Sequence, residues 1–203
     1  MSRRSEEGLR SSVAQEAARM MAEEGVRGFG AAKRKAAERL GVSPRHRLPT
    51  NGEIQEALLA YQRLFMGELH DDTIVRKRET ALEAMRLLDD FGARLVGPVL
   101  AGTSAESGEV NLHVFAEAPD DVAHALMAFG IPFEDGLRRY RMADGSQSER
   151  PVYRFVAGEE RVELTVFGRR EVSAPPLSPV DGKPMRRAGL SEVEGLLERA
   201  GGI

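Results

Sequence analysis

The sequence contains no cysteine and no tryptophan among its 203 residues, and aromatic residues make up only 5% of it. Without cysteine the chain forms neither disulfide bonds nor thiolate sites for zinc or iron–sulfur clusters, and it has no thiol nucleophile. No apolar run approaches the ~20 residues of a membrane-spanning helix. No apolar segment follows the basic N-terminal residues, as it would in a signal peptide. These absences predict a cytoplasmic protein with a mainly aliphatic core.

Charge is unevenly distributed along the chain. Residues 1–50 hold 11 Lys and Arg against six Asp and Glu, a net charge of +5, whereas the remainder holds 18 against 26, a net charge of −8. A basic segment on an acidic body indicates either contact with nucleic acid or packing of the segment on the body itself. Interleaved acidic residues favour packing. The run Lys33-Arg34-Lys35 fits a solvated helix face, with a phosphate-backbone contact as the alternative.

The first half of the sequence is predicted to be helical. Apolar residues recur at helical spacing in four segments, which we predict as helices at 12–25, 30–40, 50–65 and 72–91. The patterns Ser12–Gln15 and Thr50–Glu53 are capping boxes, in which the first and fourth residues satisfy each other's backbone N–H groups. Two Xaa-Pro pairs make Val42–Pro49 a linker.

After Gly92 the periodicity changes from helical to alternating. Strands are predicted at 95–101, 109–115, 131–141, 152–156 and 161–167, with a helix between Pro119 and Gly130. The last two strands form a hairpin around Gly158, and a Pro-rich segment leads to a final helix. This order predicts an α+β protein with an N-terminal helical arm (1–92) and a small mixed-sheet domain (93–203) that carries helices on one face.

Polar residues alternate with apolar ones in the two strongest strands. Glu109, Asn111 and His113 lie on one side of the first strand, and Glu163 lies on the polar side of the other. If the strands are neighbours, these side chains share a face, and oxygen ligands from adjoining strands are what Mg²⁺ requires. The alternative is a solvated face of an antiparallel sheet, on which such residues need no function.

The order of strand, Gly-Thr-Ser, turn and Glu-Val-Asn-Leu-His-Val-Phe resembles the signature of the DNA polymerase β-type nucleotidyltransferase superfamily. Members have a Gly-Ser pair, then an Asp-x-Asp strand, then a third carboxylate on a later strand. The resemblance covers roughly residues 95–167, and the whole chain is also similar to bacterial proteins described as nucleotidyltransferase-like. It implies phosphate binding at Gly102, Thr103 and Ser104, and a catalytic, metal-binding set of Glu109, Asn111 and Glu163.

The resemblance implies an enzyme that binds a nucleoside triphosphate with Mg²⁺ and transfers a nucleoside monophosphate to an unknown acceptor, whose hydroxyl Glu163 would orient or deprotonate. Two departures from the family pattern stand beside this. Glu109 replaces the shorter Asp, and the neutral Asn111 leaves two carboxylates where the family has three. The alternative is therefore a catalytically inactive module of nucleotidyltransferase fold that binds a protein or RNA partner through the helical arm. One half of a toxin–antitoxin pair is a third alternative.

Arginines and lysines elsewhere in the sheet domain have two interpretations each. Arg139 and Arg141 share one face of a predicted strand, where they either meet substrate phosphates or pair with acidic residues. Lys183, Arg186 and Arg187 follow an Asp-Gly turn in a Pro-rich segment. That segment either folds over an active site or closes the domain.

Overall fold

The structure is a computed structural model of the chain that describes residues 3–43, 47–105 and 107–201. The chain forms two compact units. The first contains the chain up to Asp71 together with Ala105–Ser107 and Pro179–Asp181, and the second contains the rest. The helix predicted for the end of the arm therefore groups from Asp72 onward with the sheet. None of the described helices is long and apolar enough to cross a membrane.

Helices precede the sheet, as the sequence pattern predicts. They are α1 (Arg3–Glu23), α2 (Phe29–Arg39), α3 (Asn51–Phe65) and α4 (Gly67–Leu87), followed by a 3₁₀ turn at Asp89–Phe91. Small side chains dominate the core of the first unit, where Ala17, Ala32 and Ala36 are fully buried beside Met20 and Ile54. Alanines at the contacts let the helix axes approach closely, and they also have the highest helix propensity.

One predicted capping box is confirmed and the other is wrong. The Thr50 hydroxyl accepts a hydrogen bond from the Glu53 N–H at 3.2 Å, and the Glu53 carboxylate accepts one from the Thr50 N–H at 2.7 Å. Ser12 instead lies inside α1, where its hydroxyl donates to the Gly8 carbonyl at 3.0 Å. A hydroxyl in mid-helix commonly bonds the carbonyl four residues earlier. Part of the predicted linker, residues 44–46, lies outside the described residues.

The second unit is built on a five-stranded mixed sheet. Its strands are β1 (Arg94–Val96), β2 (Val110–Ala116), β3 (Glu134–Arg141), β4 (Gln147–Ala157) and β5 (Glu160–Gly168), in the order β1-β2-β5-β4-β3. Strands β2 and β5 are parallel and the other neighbours are antiparallel. The predicted mixed sheet and the β4–β5 hairpin are confirmed. The remaining α-helices among the described residues are α5 (Gly97–Ala101), α6 (Pro119–Ala128) and α7 (Leu190–Gly201), and a 3₁₀ helix spans Arg169–Ser173.

The segment 95–101 is not the single strand that its apolar run suggested. Strand β1 ends at Val96, and α5 begins at Gly97 with Pro98 in its first turn. Proline is favoured at that position because its missing N–H would have no partner there and its fixed φ suits a helix. Gly102 closes α5 with φ 74°, the left-handed conformation that glycine supplies at helix ends.

Helices cover one face of the sheet, which confirms that part of the predicted architecture. Apolar side chains of α4, α6 and α7, including Met85, Leu126 and Val193, pack on Leu112 and Leu164 of the central strands. The centre of the opposite face is buried in a different way. Phe115, Tyr140 and Phe167 form an aromatic cluster there, and Met142 and Met185 pack against it.

Candidate functional site

The register of the parallel pair β2–β5 brings the predicted site residues together. Asn111 lies directly opposite Glu163, and His113 lies opposite Thr165. Glu109 immediately precedes β2, and its backbone carbonyl accepts a hydrogen bond from Asn111 Nδ2 at 3.0 Å. Asn111 and Glu163 therefore lie side by side near the beginning of the two parallel strands, and the backbone of Glu109 contacts Asn111.

The carboxylate of Glu163 is held between two arginines. Its side chain is 3% exposed, and Oε1 accepts from Arg138 Nη1 while Oε2 accepts from Arg154 Nε at 2.8 Å and Nη2 at 2.6 Å. Asn111 Oδ1 accepts from the same Arg138 nitrogen at 2.9 Å. Both carboxylate oxygens are thus engaged by guanidinium groups, in charge-assisted hydrogen bonds. We call Glu163, Arg138, Arg154 and Asn111 the arginine clamp.

A glycine on the edge strand makes room for the clamp. Gly136 of β3 faces Val152 of β4 in the register. A Cβ atom at position 136 would lie 2.9 Å from Arg154 Nη1 and 3.4 Å from Val152 Cγ2. Any larger residue would therefore displace the Arg154 guanidinium, and the glycine is explained by close approach rather than by an unusual φ.

The clamp does not fit a magnesium ion in this arrangement. Within the ranges that the structure describes, no group of three or more Asp, Glu or His side chains is placed to hold a metal. Glu163 would have to release its guanidinium partners before it could bind a cation. The two guanidinium groups beside Glu163 also repel a divalent ion, a cost that grows as water is excluded.

The Gly-Thr-Ser segment, residues 102–104, follows helix α5 and ends it. The Gly102 N–H donates to the Val99 carbonyl at 3.3 Å and the Thr103 N–H donates to the Pro98 carbonyl at 2.9 Å. Thr103 is 7% exposed and Ser104 only 1%. The N–H groups of Gly102 and Thr103 therefore provide donors for carbonyls at the end of α5.

The glycine that directly follows β1 is Gly97, which sequence reasoning missed. It has φ 72°, and a Cβ there would lie 3.9 Å from Asn111 Nδ2. The Gly97-Pro98 pair is a helix-start signal, and it could have revealed that the strand ends at Val96.

His113 belongs to a buried hydrogen-bonded network and not to a solvated face. Its Nδ1 accepts from Arg187 Nε at 3.0 Å, so the ring proton lies on Nε2, which is 3.4 Å from the Tyr140 hydroxyl. That hydroxyl is 2.9 Å from Thr165 Oγ1. Burial, and then the charges of Arg187 and Arg138, lower the pKa of His113 to about 2. The imidazole is therefore neutral at physiological pH.

Arg187 closes the aromatic face of the sheet. Its guanidinium carbon lies 4.9 Å and 4.8 Å from the ring centroids of Phe115 and Phe167. Nη1 donates to the carbonyls of Glu171 at 2.7 Å and Val172 at 2.9 Å. Burial lowers the pKa of Arg187 to about 10. Of the two interpretations for this segment, Arg187 fits closure of the domain.

Four of the other basic residues that the sequence marks as candidates lie on the surface. Arg186 pairs with Glu192, and Arg139 pairs with Glu149 at 2.8 Å, in both cases between well-exposed side chains. Arg34 and Lys35 are exposed on α2.

Lys77 is a buried cation that no sequence pattern predicts. This α4 residue is 0% exposed, and Nζ donates to the Gly108 carbonyl at 2.8 Å and to the Glu160 carboxylate. Arg76 Nε also donates to Glu160, at 2.9 Å. Because Gly108 leads into β2 and Glu160 begins β5, Lys77 ties together the starts of the two parallel strands. A lysine in a charged helix ordinarily lies on the solvated face.

Comparisons with known proteins add nothing to the resemblance to nucleotidyltransferases, which rests on the sequence motif. No protein-family model matches the sequence, and no curated protein matches it either.

Proposed function

We propose that this protein is a non-catalytic interaction module with a nucleotidyltransferase-like fold, in which the sheet is a scaffold and the helical unit contacts a protein partner. The observation that carries the proposal is the arginine clamp. Both oxygens of Glu163, the carboxylate that a transferase would use for Mg²⁺, accept hydrogen bonds from Arg138 and Arg154.

The electrostatics of the clamp support this reading over catalysis. An enzyme of this family needs several carboxylates to neutralise the Mg²⁺ ions that bind together with the triphosphate. Here Asn111 contributes no charge, and its amide serves the clamp by accepting from Arg138. Freeing Glu163 for a metal would leave two cations beside the incoming ion, so the arrangement opposes the step on which the chemistry depends.

A transferase remains the second candidate, because the register brings its proposed residues to one place. Asn111 lies opposite Glu163, and Glu109 precedes Asn111 by two residues. In this candidate Glu109, Asn111 and Glu163 hold Mg²⁺, the Gly102–Ser104 segment binds phosphate, and a nucleoside triphosphate is the substrate. Arg138 and Arg154, whose side chains are 45% and 38% exposed, would have to turn toward solvent when the nucleotide arrives.

Calorimetric titration separates the two candidates. ATP, GTP, CTP and UTP are titrated into the protein with and without Mg²⁺, and transfer of a labelled nucleoside monophosphate is assayed in parallel. The interaction module predicts no Mg²⁺-dependent heat and no transfer. Metal-dependent binding that disappears in Glu109→Ala/Glu163→Ala would establish the transferase instead.

A further inference from the structure

A groove runs between α1 and α3 within the first unit. The two helices lie side by side in the same direction, because Arg10 bonds Glu53 near their beginnings and Glu23 bonds Tyr61 near their ends. The cavity volume of the groove is about 870 Å³. On α1 its lining extends from Glu7 to Arg19, about 18 Å at the helical rise per residue. That length matches about three turns of a docked helix.

One end of the groove presents large apolar side chains to solvent. Leu64 is 76% exposed and Phe65 is 71% exposed, and Tyr61 stacks on Phe65 with ring centroids 4.7 Å apart. Ala57 and Ala60 line the groove beside them, so a partner backbone can approach closely. Contiguous exposed apolar surface of this kind marks interaction sites in water-soluble domains.

The other end of the groove is acidic. Four glutamates and two arginines line the groove as a whole. Arg10 is taken by Glu53 and Arg19 by Glu16. Glu7 and Glu56 remain, and neither forms an ion pair with any residue that the structure describes. The uncompensated charge of the groove is therefore negative, which favours a cationic partner and disfavours the phosphates of RNA.

We propose that this groove binds an amphipathic helix of a partner protein. Its apolar residues, spaced i, i+3 or i+4 and i+7, pack on Tyr61, Leu64 and Phe65. Its Lys or Arg residues lie at the other end, facing Glu7 and Glu56. The inference deepens the proposed function, on which it rests, by naming the surface and the chemistry of the partner.

The test uses a labelled model peptide of about 14 residues, long enough for the groove, with leucines at the stated spacing and lysines on one flank. Binding to the full chain is followed by fluorescence anisotropy. A second peptide keeps the leucines and replaces the lysines with glutamates, and a third scrambles the first. The basic amphipathic peptide is expected to bind at least about tenfold more tightly than either control peptide.

Variants of exposed residues locate the binding. Leu64→Asp and Phe65→Ser remove apolar anchors, Ala60→Tyr fills the groove, and each is expected to weaken binding about tenfold or more. Glu7→Lys/Glu56→Lys is expected to weaken it several-fold and to reduce its dependence on salt. Leu137→Asp, an exposed residue of β3 (66% exposed), is the control. Circular dichroism confirms that each variant is folded.

Three outcomes overturn the inference. They are equal binding of the basic and acidic peptides, binding unaffected by Ala60→Tyr and Leu64→Asp, and a self-association in sedimentation equilibrium that Leu64→Asp abolishes. The last would assign the groove to a second copy of the chain. The two proposals fail separately. If no peptide binds and no nucleotide is transferred, the groove is wrong and the protein is still non-catalytic. If the peptide binds and Mg²⁺-dependent transfer is also seen, the groove stands and the non-catalytic assignment is wrong.

Discussion

The centre of the sheet is buried on both faces, but by different chemistry. On one face, helices cover aliphatic side chains such as Leu112 and Leu164, which are 0% exposed. On the other, His113 and Thr165 are 0% and 2% exposed within hydrogen-bonded and aromatic contacts closed by Arg187. Alternation of polar and apolar residues therefore shows which residues share a face, and it does not show whether water reaches that face.

The largest effect is expected on the aliphatic face. Leu164→Ala should lower the free energy of unfolding by about 3 kcal/mol, because it removes buried methyl groups and leaves a cavity among rigid neighbours. Urea denaturation measures the loss. Leu137→Ala, at a position that is 66% exposed, should change stability by less than about 0.5 kcal/mol. Equal effects at the two positions would contradict the assignment of this face as the core.

Arg187→Met should cost about 2 kcal/mol, since it leaves the His113 Nδ1 atom and two carbonyls without their donor and removes a cation that lies over two neighbouring phenylalanine rings. Arg187→Lys should not restore stability, because an ammonium cannot reproduce the planar fork. Arg186→Met, at the neighbouring side chain that is 63% exposed, is the matched control in thermal and urea unfolding. Full rescue by lysine would show that charge alone holds this face together.

Acid should lower the stability of the folded chain through His113 on the polar face. The pKa of His113 in the folded chain is about 2, below the unfolded value near 6.5. Between those values the unfolded chain binds a proton that the folded chain does not, so stability falls as pH falls. From pH 6.5 to 5 the loss from this group is about 1.6 kcal/mol.

The contribution of His113 is isolated by comparing urea midpoints of wild type and His113→Asn across that pH range. Asparagine keeps an acceptor for Arg187 and cannot titrate. The urea midpoint of the variant should therefore fall less than that of the wild type as the pH is lowered. Parallel pH profiles for the two proteins would contradict a buried neutral imidazole.

The smallest effect concerns the clamp. Gly136→Ala should cost about 1 kcal/mol, although alanine is ordinarily better than glycine within a strand, because its methyl group displaces the Arg154 guanidinium. In an Arg154→Met background the penalty should vanish, so a double-mutant cycle on unfolding free energies tests the contact. A penalty that persists in that background would assign it to Val152 instead.

Sequence patterns correctly predicted the features that depend on residues close together in the chain. The Thr50–Glu53 box and the β4–β5 hairpin follow from short-range spacing. Alternation also places Asn111 and Glu163 on the polar sides of their own strands, but that β2 and β5 are neighbours is a long-range feature, which the register shows. The clamp does not follow from short-range spacing either, because Arg138 belongs to a β3 strand that is not a neighbour of β5 in the sheet and its side chain crosses the intervening strand. Nothing within a few residues of Arg138 indicates that reach.

Lys77 illustrates the same limit, since its partners Gly108 and Glu160 lie 31 and 83 residues away. Ser12 shows the reverse error. Its capping-box spacing is real, but residues before it continue the helix, so the hydroxyl bonds backward to Gly8. A local signal fails where the adjoining chain already satisfies the group it was meant to cap.

The burial of Lys77 also makes its amine a chemical probe of local opening. The sequence has four lysines, of which Lys35 and Lys183 are exposed, Lys33 is half-buried and Lys77 is 0% exposed. An amine-reactive reagent should therefore acylate Lys77 only during excursions that part α4 from the beginnings of β2 and β5. The ratio of acylated Lys77 to acylated Lys35, read by mass spectrometry, would then report how often that junction opens in the otherwise intact protein.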